Sequence, residues 1–343
     1  MLLLNDTNLP DRIGNLEIVR RVGRRTILHA FHDIDGTHSL IREWPPVMSA
    51  LISWVAASGL PEGYDGDENA ARLAARVESL RTEEADRFAV ESAGLSALTQ
   101  MEWAIRRALQ EGTLAISGGH LSEEEAAVNA AIIERIWRGE ERFGDLPDSE
   151  RVRRFISAHT PRLFQLYEAV LARASRDRNL AAARGDPAAW RVPGSLEFLQ
   201  RLHAAGVKNH FVTGSVMSTD QLPEGMLEEV LVLGFEVGPG KLIESAHGSD
   251  WDRKMPKDEV MQKLLADLGT TGEQVLIVGD GRSEVEAGVE MGAAVLSRLP
   301  ADADRLRHLH RELGTNYIVP DYTDAALALL LRSTEDSCSS GSN

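Results

Sequence analysis

One stretch constrains the fold of this chain more than any other: residues 26–37, Thr-Ile-Leu-His-Ala-Phe-His-Asp-Ile-Asp-Gly-Thr. Its apolar residues show no helical period, which is typical of a buried strand in a parallel sheet. Such sheets bind ligands beyond the carboxyl ends of their strands, where Asp33 and Asp35 would lie. Two carboxylates about 4 Å apart repel by roughly 4 kcal/mol at an effective dielectric near 20. A site that keeps both ionised is therefore expected to hold a cation, most simply Mg²⁺.

Other interpretations of this stretch have to be compared. Asp and Gly after a strand are also ordinary turn formers, and these residues alone leave that alternative open. A helix-loop-helix calcium site is excluded by its spacing. If Asp33 were the first ligand, the required glycine would fall on His38 and the bidentate glutamate on Trp44.

Composition and charge limit the class of protein. With 343 residues, 43% of them hydrophobic and 26% charged, the chain suits one large or two medium globular domains. A formal charge of -16 argues against nucleic acid or an anionic membrane as partner. It is compatible with a small phosphorylated ligand held by a metal and a lysine. The oligomeric state is not predicted.

The ends of the chain indicate the compartment. The single cysteine, Cys338, lies in a polar tail, 334–343, that we predict to be disordered, so neither disulfides nor a cysteine metal site are expected. Leu2 to Leu4 is too short for the apolar region of a signal peptide, and no stretch resembles a membrane span. A cytoplasmic protein is expected.

A helical region follows the first motif. Pro45 and Pro46 predict a break or linker. From Val47 to about Arg191 the apolar residues recur three and four apart, which predicts helices over 47–57, 67–81, 83–110, 122–142, 149–174 and 177–184. We therefore predict a core domain over 1–44 and 192–333 with an all-helical cap inserted at 45–191. Its tryptophans, Trp54, Trp103 and Trp137, are expected in the core of the helical bundle.

Two later segments carry polar groups suited to an anion. The strand Lys208 to Ser215 ends in Thr213-Gly214-Ser215, whose hydroxyl and amide donors would hold a phosphate at a helix start; a plain turn is the alternative. Lys254 and Lys257 lie at the amino end of an amphipathic helix, where the helix dipole disfavours cations. Each lysine either points to solvent or has an anion to meet.

A last strand, 274–278, ends in Gly279-Asp280-Gly281-Arg282-Ser283-Glu284. This differs from a dinucleotide-binding fingerprint, because Asp280 and Glu284 would repel a pyrophosphate at a helix start. A metal ligand fits better. Alternating strands and helices up to residue 332 complete the prediction of an α/β protein with a doubly wound parallel sheet.

Taken in order, four segments resemble the four motifs of the haloacid dehalogenase superfamily: Asp33-Ile-Asp-Gly-Thr37, Thr213-Gly-Ser, Lys257 at a helix start, and Gly-Asp280 with Glu284. The resemblance covers 29–44 and 192–331. The insert looks like that superfamily's helical cap, though it is longer than usual. The run from Asp33 to Trp44, with the later Gly-Asp-Gly and Ile-Val-Pro-Asp, is most similar to the phosphoglycolate-phosphatase-type branch.

The resemblance implies an Mg²⁺-dependent phosphoric monoester hydrolase. Asp33 would be the nucleophile that forms an aspartyl-phosphate, and Asp35 the general acid and base. An acid at position 35 distinguishes the chain from dehalogenases and phosphonate-cleaving members, which lack one there.

The remaining roles are implied in the same way. Thr213 and the amide of Gly214 would bind the phosphate, and Lys257, with Lys254 as the alternative, would neutralise it. The resemblance implies that Asp33, the Asp35 carbonyl and Asp280 hold Mg²⁺, with Glu284 behind a water in the second ligand shell.

Two other functions remain open from the sequence. A phosphomutase or phosphotransferase of the same superfamily would keep all four motifs and differ only in what accepts the phosphoryl group. A non-catalytic binding protein would keep the fold. The identity of the small phosphorylated substrate is not encoded in any motif of the cap.

Overall fold

The computed structural model describes residues 1–217, 225–249 and 255–333, and the chain divides into two compact units. The first, which we call the core unit, comprises 1–41, 182–248 and the residues from 257 onward; 42–181 make up nearly all of the second, the helical unit. The predicted boundaries, after 44 and after 191, fall slightly later in the chain. The tail predicted to be disordered, 334–343, lies outside the described residues.

The strands of the described residues belong to the core unit, apart from Ser249 at the end of the seventh strand. They are β1 (Leu2–Asn5), β2 (Arg12–Ile13), β3 (Leu16–Ile18), β4 (Arg24–Ile27), β5 (His29–His32), β6 (Lys208–Val216), β7 (Ile243–Ser249), β8 (Val275–Gly279), β9 (Ala294–Arg298), β10 (Tyr317–Val319) and β11 (Leu331–Ser333). The larger sheet has the order β2-β3-β10-β9-β8-β5-β6-β7, and the pairs from β6 through β10 are parallel. Strand β5 lies between β6 and β8.

The apolar run before Asp33 belongs to two sheets, which the sequence did not indicate. Strand β4 pairs with β1 in a small antiparallel sheet of order β11-β1-β4, and after Leu28 the chain enters β5 of the large sheet. Ile27 of β4 and Ala30 of β5 lie in one hydrophobic cluster. Because both sheets bury side chains in the same cluster, the hydrophobic pattern stays unbroken across the change of sheet.

The helical unit is all-helical, as predicted. Its helices are α1 (Trp44–Ser58), α2 (Asp67–Ala74), α3 (Val77–Leu80), α4 (Glu83–Glu91), α5 (Ala97–Gln110), α6 (Glu123–Trp137) and α7 (Glu150–Leu171). After a π-helical turn, α8 (Asp177–Gly185) follows, and its last residues, from Ala182, are assigned to the core unit. The prediction that Pro45 and Pro46 break the chain was wrong, because both lie in the first turn of α1. Proline is tolerated there, since first-turn amides have no helical acceptor.

The tryptophans named above pack inside the helical unit, as predicted. Trp103 stacks on Phe88 with ring centroids 3.9 Å apart, and Trp137 lies 5.5 Å from Trp103. Trp54 is also buried. The stacking adds an aromatic contribution to the burial of these large side chains.

A buried charged cluster joins three parts of the helical unit. Arg106 of α5 donates from Nε to Glu102, from Nη2 to Asp148, both at 2.8 Å, and from Nη1 to Asn129 at 3.1 Å. Asn129 of α6 donates back to the Arg106 carbonyl oxygen at 2.9 Å. All three guanidinium nitrogens are therefore used within the unit.

The remaining helices cover the two faces of the large sheet. They are α9 (Ser195–Ala204), α10 (Gly225–Val232), α11 (Lys257–Asp267), α12 (Arg282–Met291), α13 (Asp304–Leu313) and α14 (Ala326–Leu330). Ala30 packs in the cluster that contains Phe198 of α9, whereas Phe31 packs with Met261 of α11. Successive residues of β5 thus face opposite sides of the sheet. The doubly wound α/β prediction is confirmed.

The end of the described chain differs from its prediction. A single helix was expected over 323–332, but α14 is short and β11 follows it, pairing with β1. Within the described residues, the structure contains no helix with the length and apolar character needed to cross a membrane.

Candidate active site

Asp33 lies directly beyond the carboxyl end of β5. Its amide donates to the carbonyl oxygen of Val278 at 2.9 Å, which extends the pairing of β5 with β8 by one residue. Because side chains alternate along the strand, Asp33 shares the face of Phe31, the side of the sheet on which α11 packs. The side chain is only 5% exposed.

Lys257 meets Asp33 inside the core unit. It is the first residue of α11 and is 3% exposed. Its Nζ donates to Asp33 Oδ1 at 2.6 Å and also to Glu284 Oε1. Of the two alternatives weighed for this lysine, the structure therefore shows the anion and not the solvent. Lys254, the other candidate lysine, lies outside the described residues.

Glu284, in the first turn of α12, is fully buried. We expected it to reach the metal through a water, and that role stays a prediction. Its Oε1 accepts a hydrogen bond directly from Lys257, which was not expected. Gly279 makes room for it, since a Cβ on that glycine would lie 2.3 Å from Glu284 Cγ. The other carboxylate oxygen, Oε2, is buried and has no hydrogen-bond partner among the described residues.

Asp280 packs against the loop that follows Asp33. Thr37 Oγ1 donates to Asp280 Oδ1 at 3.2 Å. Gly36 has φ 71°, and a Cβ there would lie 2.0 Å from Asp280 Oδ2, so only glycine allows this approach. The first and fourth motifs therefore meet at one edge of the sheet.

Asp35 and its neighbours form a compact loop. The Ile34 carbonyl oxygen accepts from the amides of Thr37, His38 and Ser39, and Gly36 donates to the Ser39 carbonyl oxygen. Asp35 itself is half-buried.

The second motif departs from its prediction. We expected a helix to start at Thr213-Gly214-Ser215, but β6 continues through these residues to Val216, so no helix amino terminus lies there. The amide of Ser215 donates to Thr213 Oγ1 at 3.1 Å. The parallel pairing of β6 with β5 nevertheless brings Thr213 to the same sheet edge as Asp33.

Arg298 is a cation of this edge that was not predicted from the sequence. It ends β9, and it donates from Nη1 to the Gly36 carbonyl oxygen at 2.8 Å and from Nε to that of Pro320 at 2.9 Å. The signal that could have found it is its place directly after the apolar residues of a parallel strand, the same rule that singled out Asp33 and Asp280.

The electrostatics of the site show an excess of negative charge. Burial raises the pKa of Asp33 to about 6, although Lys257 acts in the opposite direction. Burial, followed by the charges of Asp33 and Glu284, raises the pKa of Asp280 well above its usual range. Burial alone would lower the pKa of Lys257, but its two carboxylate partners outweigh this and raise it. The cationic side chains of the site thus compensate only part of the negative charge of its carboxylates.

The donor set suits a hard divalent cation. The described residues hold no group of three or more histidine, cysteine, aspartate or glutamate side chains arranged around a metal position. The expected set needs only two carboxylate side chains and one backbone carbonyl oxygen, and oxygen donors are what Mg²⁺ prefers. Asp33, Asp35, Asp280 and Glu284 against Lys257 and Arg298 leave a formal excess of two negative charges, which one Mg²⁺ would neutralise.

Two buried histidines support the loop. Burial lowers the pKa of His32 to about 3 and that of His38 well below its usual range, which favours the neutral form of both imidazoles. Neither was singled out from the sequence, because a histidine within an apolar strand gives no distinguishing pattern.

Comparison with known proteins gives a likeness in structure only. No family model matches the chain, and no curated protein matches its sequence. A structure described as a predicted phosphoglycolate phosphatase from Haemophilus somnus 129pt has 15% identity and a TM-score of 0.42, over 88% of this chain and 97% of that one. A phosphonoacetaldehyde hydrolase-like protein from Oleispira antarctica has 16% identity and a TM-score of 0.44, over 88% and 91%.

A third structure, described as a HAD family hydrolase from Deinococcus radiodurans R1 with bound phosphate and sodium, has 14% identity and a TM-score of 0.41, over 89% of this chain and 97% of that one. At these identities and TM-scores the likeness carries no argument about function. The structure of the core unit itself agrees with the resemblance found in the sequence. Its large sheet is mainly parallel, and residues of the first, third and fourth motifs meet at one edge of it.

Proposed function

We propose that the protein is an Mg²⁺-dependent phosphatase of small phosphomonoesters, similar to the phosphoglycolate-phosphatase-type branch, that works through an aspartyl-phosphate. The observation that carries this proposal is the buried Lys257, which joins Asp33 to Glu284 beside Asp280. A purely structural ion cluster has no need to leave a buried carboxylate oxygen without a partner, as Glu284 Oε2 is here.

In the first step Asp33 attacks phosphorus. Lys257 holds Oδ1, which fixes the carboxylate and leaves Oδ2 as the attacking oxygen. The bond between phosphorus and the ester oxygen breaks as the bond to Asp33 forms, and Asp35 gives its proton to the departing alkoxide.

In the second step Asp35 takes a proton from water. The resulting hydroxide attacks phosphorus, inorganic phosphate leaves, and the Asp33 carboxylate is restored. Lys257, together with Thr213 and the Gly214 amide, stabilises the charge on the phosphoryl oxygens in both steps. Asp33, the Asp35 carbonyl and Asp280 would hold Mg²⁺, which when bound supplies the positive charge that a phosphate dianion needs to enter this site.

The test is release of inorganic phosphate from para-nitrophenyl phosphate and from a panel of phosphorylated metabolites. Turnover should require Mg²⁺ and stop with excess chelator. Full activity in chelator would refute the metal assignment, and no turnover of any ester would favour a binding protein. If added alcohols or sugar phosphates receive the phosphoryl group in preference to water, the protein is a transferase or mutase instead.

Metal binding should also be visible without turnover. Mg²⁺ should raise the melting temperature of the wild-type protein, because a ligand that binds only the folded state stabilises it. Asp280→Asn should lose most of this shift. An equal shift in both proteins would place the cation elsewhere.

A further inference from the structure

Side chains on the face of the sheet opposite to Asp33 contact the loop that follows this residue. His32 lies on the face opposite to Asp33 and contacts Phe198 of α9, with ring centroids 6.3 Å apart. His38, within the loop, stacks on Tyr322 at 5.2 Å with an interplanar angle of 9°. The Tyr322 hydroxyl donates to the Thr37 carbonyl oxygen at 3.0 Å. Both imidazoles are fully buried.

Hydrogen bonds join these histidines to two further side chains. His32 Nε2 lies 3.2 Å from Asn209 Oδ1, and His32 Nδ1 lies 3.0 Å from His38 Nε2. His38 Nδ1 lies 2.7 Å from Ser195 Oγ. This series of hydrogen bonds thus connects the start of α9, the loop, the end of β5 and strand β6.

The position of each proton can be deduced from the Asn209 end. Asn209 Nδ2 lies 3.2 Å from the Leu199 carbonyl oxygen and 3.0 Å from that of Leu242. Carbonyl oxygens only accept, so the amide nitrogen must face them and Oδ1 must face His32. Asn209 Oδ1 also only accepts. His32 therefore carries a proton on Nε2.

The remaining proton positions follow from the hydrogen-bond partners of the two buried rings. No hydrogen bond or ion pair of the described residues joins a carboxylate to His32 or His38, and a buried imidazolium without such a partner is costly. Neutral His32 must therefore accept at Nδ1, so His38 donates from Nε2. His38 then accepts at Nδ1, and the Ser195 hydroxyl donates to it.

We propose that the hydrogen-bonded series Ser195, His38, His32 and Asn209 positions the Asp33 loop for catalysis. In this series each member donates to the next, from Ser195 towards Asn209. The catalytic part of this inference rests on the proposed function, whereas the order of the protons does not. None of the four side chains touches Asp33 or Asp35 through a hydrogen bond of the described structure, so they are positioning residues.

When all hydrogen bonds of the series donate in the same direction, only one orientation of the two rings pairs every donor with an acceptor. Flipping either ring would bring a C–H to a nitrogen or oxygen that needs an N–H. The loop is therefore fixed before substrate binds, which is what a nucleophile requires if no reorganisation is to accompany the reaction.

The order of the protons can be tested by ¹⁵N NMR of the histidine rings, because protonated and unprotonated ring nitrogens have well-separated shifts. The resonances are assigned with His38→Phe, which keeps an aromatic ring against Tyr322, and with His32→Phe. Both histidines should be neutral with the proton on Nε2. A neutral ring with its proton on Nδ1, or an imidazolium at neutral pH, would overturn the proposal whether or not the protein is a phosphatase.

The positioning role is tested by kinetics. Ser195→Ala should lower kcat about five-fold with little change in KM, the scale of one neutral hydrogen bond. Ser195→Thr, which keeps the hydroxyl, should restore it. The matched control is Ser245→Ala, which removes bonds of 2.8 Å to the imidazoles of His210 and His247, both outside the loop. It should keep the wild-type kcat.

Two kinetic results would contradict the positioning role. One is an unchanged kcat in Ser195→Ala. The other is an equal loss in Ser195→Ala and Ser245→Ala, which would point to a general loss of stability. If the wild-type protein hydrolyses no phosphoester, the proposed function fails, and the NMR experiment still decides the order of the protons.

Discussion

The two units each bury a cation between two carboxylates, but the clusters are completed differently. In the helical unit, the guanidinium of Arg106 contacts Glu102, Asp148 and Asn129, and no buried atom of these four side chains lacks a hydrogen-bond partner in the described structure. In the core unit, Lys257 contacts Asp33 and Glu284, while Glu284 Oε2 stays without a partner and the pKa of Asp33 is raised.

The difference teaches how to separate a structural charge cluster from a reactive one. Five donors in a planar fork can satisfy several acceptors at once, and the cluster then needs nothing further. An ammonium has a single nitrogen and leaves carboxylate oxygens available for other ligands. Buried charge alone is therefore weak support for an active site, whereas buried charge that is incompletely matched is stronger.

The largest expected effect comes from changing Asp33, the proposed nucleophile of the core cluster. Asp33→Asn should lower kcat by about 10⁴-fold or more, the scale on which a lost nucleophile acts. The variant should remain folded, since the amide fits the same space and one repulsive charge is removed. The measurement is phosphate release alongside circular dichroism. Activity within a few-fold of wild type would rule out the covalent mechanism.

The next effect breaks the helical cluster and should appear in stability only. Arg106→Met leaves Glu102 and Asp148 buried without their cation and should cost about 3 to 5 kcal/mol of unfolding free energy. The kcat per folded molecule should not change. Replacing all three residues by apolar ones of similar volume should recover much of the loss. Denaturant titration measures both, and a loss in Arg106→Met below about 1 kcal/mol would contradict this account.

Removing the lysine of the core cluster, Lys257, should affect kcat, whereas the change at Arg106 affects stability. Lys257→Ala should lose about 2 to 4 kcal/mol of transition-state stabilisation in kcat, and Lys254→Ala much less. Lys257→Arg serves where the alanine variant unfolds; it keeps the charge in a different geometry and should also be impaired. If Lys254→Ala proved the more damaging of the two alanine variants, the catalytic role would move to Lys254.

The smallest effect is a pH dependence of the unfolding free energy that arises in the core cluster and not in the helical cluster. With its pKa raised from 3.8 to about 6, Asp33 binds more protons in the folded state. Its contribution to stability is therefore complete below about pH 4 and is lost as the pH rises through about 6, by roughly 2 kcal/mol between pH 4 and 7 and roughly 3 kcal/mol in all. Metal-free wild-type protein should show this loss, and Asp33→Asn should not. Added Mg²⁺ should suppress it.

That pH experiment has its own control. Arg106→Met, whose change lies in the helical unit, should keep the wild-type slope of unfolding free energy between pH 4 and 7. An identical slope in wild type and Asp33→Asn would show that other groups cause the dependence.

The sequence predicted the core sheet and the edge at which its polar residues meet, because strand ends are visible as changes in residue type. Asp33 and Asp280 were singled out in this way, and Lys257 as a cation at the amino end of a helix. The direct contact of Glu284 with Lys257 was not, since it depends on side-chain directions from two helices and on the space that Gly279 leaves. The strand at Thr213 also ran on past its predicted end.

Other features were hidden for physical reasons of their own. The change of sheet at Leu28 leaves the hydrophobic pattern unbroken. The start of α1 at two prolines uses a position where proline is compatible with a helix. The bonds of Asn209 and Ser195 to histidines more than 150 residues away in the chain depend on tertiary packing that no local pattern reports.

The position of β5 in the sheet has a consequence for synthesis on the ribosome. Its two neighbours, β6 and β8, begin at residues 208 and 275, after the whole stretch 42–181 has been made. That stretch forms helices from neighbouring segments and can compact as it emerges, whereas β5 waits with both edges unpaired. An unpaired apolar strand is a template for association with other chains. The nascent protein therefore exposes both edges of β5, the strand that leads to Asp33, until β6 and β8 have been made, and a chaperone that binds residues 29–32 during translation would protect them.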